Sequence, residues 1–156
     1  WAGTGGAAAG GSLDGLSLLD LYAGSGAVAL EAASRGASPA WAVERDRATA
    51  EVARRNVREA GLPVTVVTRS VGAFLAASPG MAFDIVWADP PYDMGEPELA
   101  RVLAAVVDGG WLAGRGLLVV ERSSRGAAPQ WPAVMEESWD RGYGETALHF
   151  AMKGDA

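Results

Sequence analysis

The feature that most constrains this chain is an alternation. Four short apolar runs, rich in Leu, Val and Ala, are each followed by a longer segment of helical character, and a fifth run comes after them. Short, almost purely apolar runs suit strands buried on both faces, and strand–helix alternation feeds a parallel sheet with helices packed over it. The first run, Leu16–Tyr22, stops at Gly24, and Ala27–Ser34 reads as a helix ending at Gly36. Ala40–Val43 is a second strand closed by Glu44. Asp46 caps a helix over about 47–60, with Val52, Asn56, Val57 and Ala60 on one side and Gly61 as terminator. The third strand is the β-branched Val64–Thr68, followed by a short helix over Gly72–Ala77. Phe83–Ala88 is the fourth strand. Pro97 suits the first turn of a helix carrying Leu99, Val102, Leu103 and Val106 on one face, and Gly116–Glu121 is the fifth strand.

After Glu121 the alternation stops. Val134–Ser138 and Thr146–Met152 read as two strands with Asp140–Gly144 between them, a hairpin at the end of a parallel sheet. The fold expected is a doubly wound α/β sheet, mostly parallel, with an antiparallel end. At 156 residues the chain fits one domain, expected over residues 13–153. Nine of the first eleven residues are Gly or Ala, so residues 1–12 read as a linker. The chain opens on Trp1 and reads as a piece of something longer.

Composition removes several chemistries. There is no cysteine, which excludes disulfides, zinc–thiolate sites and a cysteine nucleophile. The single His149 argues against a histidine-rich metal site and is expected to be structural. No run of about 18 apolar residues is present, so no membrane span is expected, and no secretory pattern opens the sequence; a cytoplasmic monomer is expected. The net charge of −6 does not advertise a nucleic-acid partner. The charge is uneven, however. Residues 35–70 carry seven Arg against four acids, whereas residues 71–121 carry two basic residues against seven acids. Of the tryptophans, Trp87 is expected in the core and Trp111 on the surface.

Two segments carry chemistry. Asp20-Leu-Tyr22-Ala23-Gly24-Ser25-Gly26 follows the first strand and opens a helix. Glycines there permit a tight turn and close backbone approach to a ligand. Glu44, at the tip of the second strand, can accept both hydroxyls of a ribose or can simply be a solvated strand-end acid. Asp20 disfavours a pyrophosphate and favours a cation, such as the sulfonium or ammonium of S-adenosylmethionine; its alternative is a bond to local backbone. A nicotinamide cofactor is disfavoured for the same reason.

Asp89-Pro90-Pro91-Tyr92 follows the fourth strand, at the carboxyl edge where such sheets bind ligands. Four such residues in order arise by chance about once in a thousand chains of this length. Methylating an exocyclic amine needs a planar, weakly nucleophilic NH₂ to attack a sulfonium methyl. Asp89 can accept one N–H and the carbonyl of Pro90 the other. Pro91 restricts the backbone before it, and Tyr92 offers a face for a base drawn out of its stack. Neither metal nor strong base is required; positioning and electrostatics suffice.

Asp20–Gly26, Leu30–Ala37, Asp89–Tyr92 and Tyr143–Thr146 with Leu148 and Phe150 resemble the RsmD-type 16S ribosomal RNA guanine-N2-methyltransferases, in order, over about residues 13–151. The resemblance implies a Rossmann-like class I methyltransferase sheet of order 3-2-1-4-5-7-6. It implies S-adenosylmethionine as donor and a guanine N2 of 16S rRNA, in a small-subunit assembly particle, as acceptor. Asp20, Tyr22, Ala23, Gly24, Ser25, Gly26, Glu44, Arg45, Ser70 and Val71 would then line the cofactor. Asp89, Pro90, Pro91 and Tyr92 would hold the amine. Many methyltransferases have an acid for adenine after the third strand; here Arg69-Ser70-Val71 stands there, so Ser70 or backbone must serve. The family has a basic amino-terminal segment, unmatched here, so an RNA-binding segment is expected to be missing. Adenine N6, cytosine N4 and a protein glutamine remain alternative acceptors, as does a catalytically silent cofactor-binding module.

Overall fold

The computed structural model describes residues 12–155, so the Gly/Ala-rich opening lies almost wholly outside the described residues. In chain order the elements are β1 (Leu18–Leu21), α1 (Ala27–Ser34), β2 (Ala40–Glu44), α2 (Arg47–Ala60), β3 (Val64–Thr68), α3 (Val71–Ala76), β4 (Phe83–Ala88), α4 (Glu96–Asp108), β5 (Leu112–Ser123), β6 (Met135–Tyr143) and β7 (Thr146–Lys153). The strands form a seven-stranded sheet of order β3-β2-β1-β4-β5-β7-β6, the expected order. The chain divides into two compact units that meet after Val71.

In residues 12–71, β1 pairs parallel with β2, and β2 parallel with β3. Leu18, Leu19 and Leu21 have no solvent contact, as a central strand demands. The helices are shaped by small residues. Ala29, Ala32 and Ala33 are the buried positions of α1, and Ala50 and Ala53 those of α2. The side of α2 that carries Val52, Asn56, Val57 and Ala60 is thus not its buried one, since Val52 is 38% exposed and Ala60 faces solvent. The reason is close approach: a Cβ on Gly26 would sit 3.5 Å from the Ala53 Cβ, leaving no room for a larger side chain there. Asp46 caps α2 as expected, its carboxylate accepting from the Thr49 N–H at 2.9 Å. A bond from the Thr49 hydroxyl, and after it this backbone bond, hold the Asp46 carboxyl below its usual pKa. Arg54 reaches from α2 to the Thr68 hydroxyl at 2.8 Å and the Val66 carbonyl at 3.3 Å, covering part of β3.

In residues 72–155, β4 pairs parallel with β5, while β7 runs antiparallel to both β5 and β6. β5 begins at Leu112, four residues before the expected start. A register shift between Phe83 and Ile85 absorbs the extra residues, with Arg115 at φ 61°. β6 is also longer than expected. Asp140, Arg141 and Gly142 are paired strand residues, not a turn, and only Gly144 and Glu145 join β6 to β7. Gly144, with φ 62°, is the first central residue of this two-residue hairpin, where a left-handed conformation is needed. Trp139 stacks on Phe150 across the hairpin with centroids 5.4 Å apart. Trp111 is buried rather than exposed. Its indole N–H donates to the Leu75 carbonyl at 3.1 Å, and its ring lies 4.5 Å from that of Phe74. A buried indole with a partner for its one donor is a good core residue. Trp87 and His149 are buried as expected, and His149 Nδ1 lies 3.0 Å from the Asp140 carboxylate.

Candidate functional site

In the first unit the chain leaves β1 through an unusual backbone. Tyr22 has φ 62°, Gly24 φ 57° and Gly26 φ 86°. A left-handed tyrosine is uncommon, and such conformations concentrate at ligand-binding turns. Side chains hold this turn. One oxygen of the Glu44 carboxylate accepts from the Gly24 N–H at 2.9 Å, the other from the Asp46 N–H at 2.8 Å. The Glu44 carbonyl accepts from the Arg69 N–H at 3.1 Å, which ties the approach to Ser70 and Val71 to the same strand end. Ala23 donates to Val43 at 2.9 Å, and the Ser25 carbonyl accepts from the Asn56 amide at 3.1 Å. Asp20 is 2% exposed and accepts from the Ala29 N–H at 3.3 Å, so its carboxylate lies under the first turn of α1. This is the local-backbone bond that is one of its two readings, and it places a buried carboxyl group beneath the loop.

The structure therefore joins Gly24, Glu44, Asp46 and Arg69 in one hydrogen-bonded strand-end cluster. Space beside Gly24 is open, with no heavy atom within 4 Å of where a Cβ would be. Arg45 is exposed at the end of β2, while Val71 opens α3 and is buried. An accessible backbone turn with a half-buried carboxylate fits a ligand that offers hydroxyls. The buried acid beneath fits one that also carries positive charge.

In the second unit, Asp89 and Pro90 follow β4 and border a hollow of about 330 Å³ shared with Tyr92, Glu121, Ser123 and Thr146. Pro90 is buried, Pro91 is exposed, and Tyr92 is 93% exposed, its ring free on both faces. Asp89 opens to solvent on one side, yet the surrounding walls remove enough water to push its pKa up. Glu121 is also raised, first by burial and then by the charge of Asp89.

Glu121 and Arg122, near the carboxyl end of β5, also border this hollow and were not among the site residues expected from sequence; a strand's carboxyl end was the available signal. Arg122 acts as a clamp. Its guanidinium donates to the Pro91 carbonyl at 3.3 Å, the Met94 carbonyl at 2.8 Å and the Glu96 carboxylate at 3.1 Å. Its side chain is 11% exposed. One fork-shaped cation thus fixes the segment that leaves the Asp-Pro-Pro-Tyr turn. Pro91 lends its carbonyl to this clamp and to the Met94 N–H, and does not border the hollow.

Comparison with known proteins fits this arrangement. The family model described as Conserved hypothetical protein 95 matches residues 7–152. The chain belongs to that family. Among curated proteins, Ribosomal RNA small subunit methyltransferase D of Escherichia coli K12 is 38% identical over 117 residues, covering 74% of this chain and 57% of that protein. The chain thus spans a little over half the length of that relative. Release factor glutamine methyltransferase of Burkholderia pseudomallei is 38% identical over 101 residues, covering 58% of this chain and 35% of that protein. Among solved structures, yhhF of Escherichia coli superposes with a TM-score of 0.81 at 31% identity, covering 92% of this chain and 78% of that one. Among the described residues, no helix is long and apolar enough to cross a membrane, and no His/Cys/Asp/Glu group could hold a metal ion.

Proposed function

We propose that this protein transfers a methyl group from S-adenosylmethionine to the exocyclic N2 of a guanine in 16S rRNA. Its substrate would be a small-subunit assembly particle in the cytoplasm, and it would act as a monomer. The observation that carries the reading is the Asp89–Tyr92 turn. A carboxylate and an exposed aromatic ring border one hollow after β4, in a chain whose family relatives include a small-subunit rRNA methyltransferase.

S-adenosylmethionine would supply an electrophilic methyl carbon on a sulfonium. Glu44 and the Gly24 turn would receive its ribose. Asp20 would favour its cationic methionine end, and Tyr22, Ala23, Ser25, Gly26, Arg45, Ser70 and Val71 would complete the walls. On the acceptor side, Tyr92 would stack on the base drawn out of its helix. Asp89 and the Pro90 carbonyl would each accept one N–H of the amine, aligning the nitrogen lone pair and enriching its electron density. The methyl would pass to the amine nitrogen as its bond to sulfur breaks with the electron pair left on sulfur, and the amine proton would leave to solvent past the Asp89 carboxylate. Arg122 would keep the turn in place during this step.

The release factor relative supports a second acceptor, a glutamine side chain, because an amide nitrogen also presents two N–H groups. The test is methyl transfer from radiolabelled S-adenosylmethionine to undermethylated small subunits, release factor and naked DNA. Label on small subunits as N2-methylguanosine is expected. Label only on release factor or DNA would replace the reading.

A further inference from the structure

Glu121 is left without an assigned task by the chemistry above. Ala88 on β4 is in register with Val120 on β5, so Asp89 and Glu121 are the next residues on adjacent parallel strands. Neighbouring strands lie about 4.8 Å apart. Both side chains border the same hollow as Tyr92. Arg122, the following residue, is committed to Pro91, Met94 and Glu96. Among the described residues, Glu121 itself makes neither a salt bridge nor a side-chain hydrogen bond. A half-buried carboxylate with no partner costs stability, and it stands one strand away from the amine-binding acid.

We infer that Glu121 is a specificity-determining residue that accepts the N1–H of the target guanine. The inference rests on the proposed guanine acceptor and deepens it. The argument is an inventory of donors. Beside its reactive amine, guanine carries N1–H, a third donor. Adenine, cytosine and the glutamine amide carry an acceptor at that place instead: N1, N3 and the amide oxygen. Asp89 and the Pro90 carbonyl satisfy the amine's two N–H groups. A second carboxylate alongside can only accept while it is ionised. It completes three bonds to guanine and sets lone pair against lone pair for the others. Selection of this kind, by a buried group left unpaired with the wrong ligand, discriminates strongly.

The test uses the complete protein as wild type, Glu121→Gln and Glu121→Ala, with undermethylated small subunits as substrate. The competitors are guanosine 5′-monophosphate and 2-aminopurine riboside 5′-monophosphate, which keeps the amine but has an acceptor at N1. Single-turnover methylation is expected to slow about ten- to hundredfold in Glu121→Ala and less in Glu121→Gln, whose amide oxygen still accepts. S-adenosylmethionine affinity, which reports folding, stays within about twofold in both. Wild type is expected to prefer the guanine competitor by about tenfold or more, and Glu121→Gln to lose that preference because its amide also donates. Guanine labelling at undiminished rate and preference in both variants would overturn the role of Glu121 and leave the proposed function standing. Wild-type labelling of adenine, cytosine or glutamine would overturn both.

Discussion

Arg122→Met removes a guanidinium and keeps an apolar stem of similar length. The lost contacts are bonds to the carbonyls of Pro91 at 3.3 Å and Met94 at 2.8 Å, and a salt bridge to Glu96 at 3.1 Å. Each carbonyl bond contributes about 1 kcal/mol net of solvent, and the pair with the 39%-exposed Glu96 less than that. The sum is about 2–3 kcal/mol. For a chain of this size that lowers Tm by roughly 4–12 °C. The turn after β4 also loses its clamp, and misplacement of a reacting group by about 1 Å costs around 100-fold in rate. The expected result is therefore a large fall in single-turnover methylation, with S-adenosylmethionine affinity within about twofold of wild type. Arg122→Lys should recover only about a third of the stability, because a compact ammonium cannot span three acceptors. Urea denaturation and single-turnover kinetics measure both effects. A loss below about 0.5 kcal/mol together with an unchanged rate would refute the clamp.

Other predictions follow from the same geometry. Asp89 and Glu121 both have raised pKa values, and both must be ionised to accept N–H groups. Methylation should therefore fall as pH drops through these raised values, beginning at higher pH than an ordinary carboxylate would allow. Stability runs the other way. The fold favours the protonated acids, so their contribution is full below their unfolded pKa of about 4 and is lost as pH rises through the folded values. Glu121→Gln should raise Tm slightly at pH 7 and leave it unchanged well below pH 4; thermal melts across pH check the sign. Glu44→Ala deprives the Gly24 and Asp46 N–H groups of their acceptor, and calorimetry should show S-adenosylmethionine binding weakened about tenfold or more. Trp111→Phe leaves the Leu75 carbonyl without its indole donor and should lower unfolding free energy by about 1–2 kcal/mol.

Much of this arrangement is legible in sequence where the signal is local. α1, β3 and β4 have the expected bounds because glycine, proline or β-branched residues mark both their ends and their type. β5 starts four residues before the expected Gly116, and β6 runs on through Gly142, which reads as a turn residue; only pairing with neighbouring strands makes these residues strand. Trp111 could not be placed without knowing that the Leu75 carbonyl would meet its N–H. The buried side of α2 follows from Gly26, which lies 27 residues before Ala53. At the candidate site, Asp89, Glu44 and Glu121 all stand at strand ends that the sequence marks, but the placement of Glu121 beside Asp89 comes from the register of β5 against β4, a pairing between segments 32 residues apart.

The central claim is tested most directly by incubating the complete protein, wild type and Asp89→Ala, with undermethylated small subunits and labelled S-adenosylmethionine. The labelled nucleoside is then identified by mass spectrometry. The account predicts N2-methylguanosine with wild type, and at least about 100-fold less with Asp89→Ala at unchanged S-adenosylmethionine affinity. Label on another base, or full activity in Asp89→Ala, would contradict it.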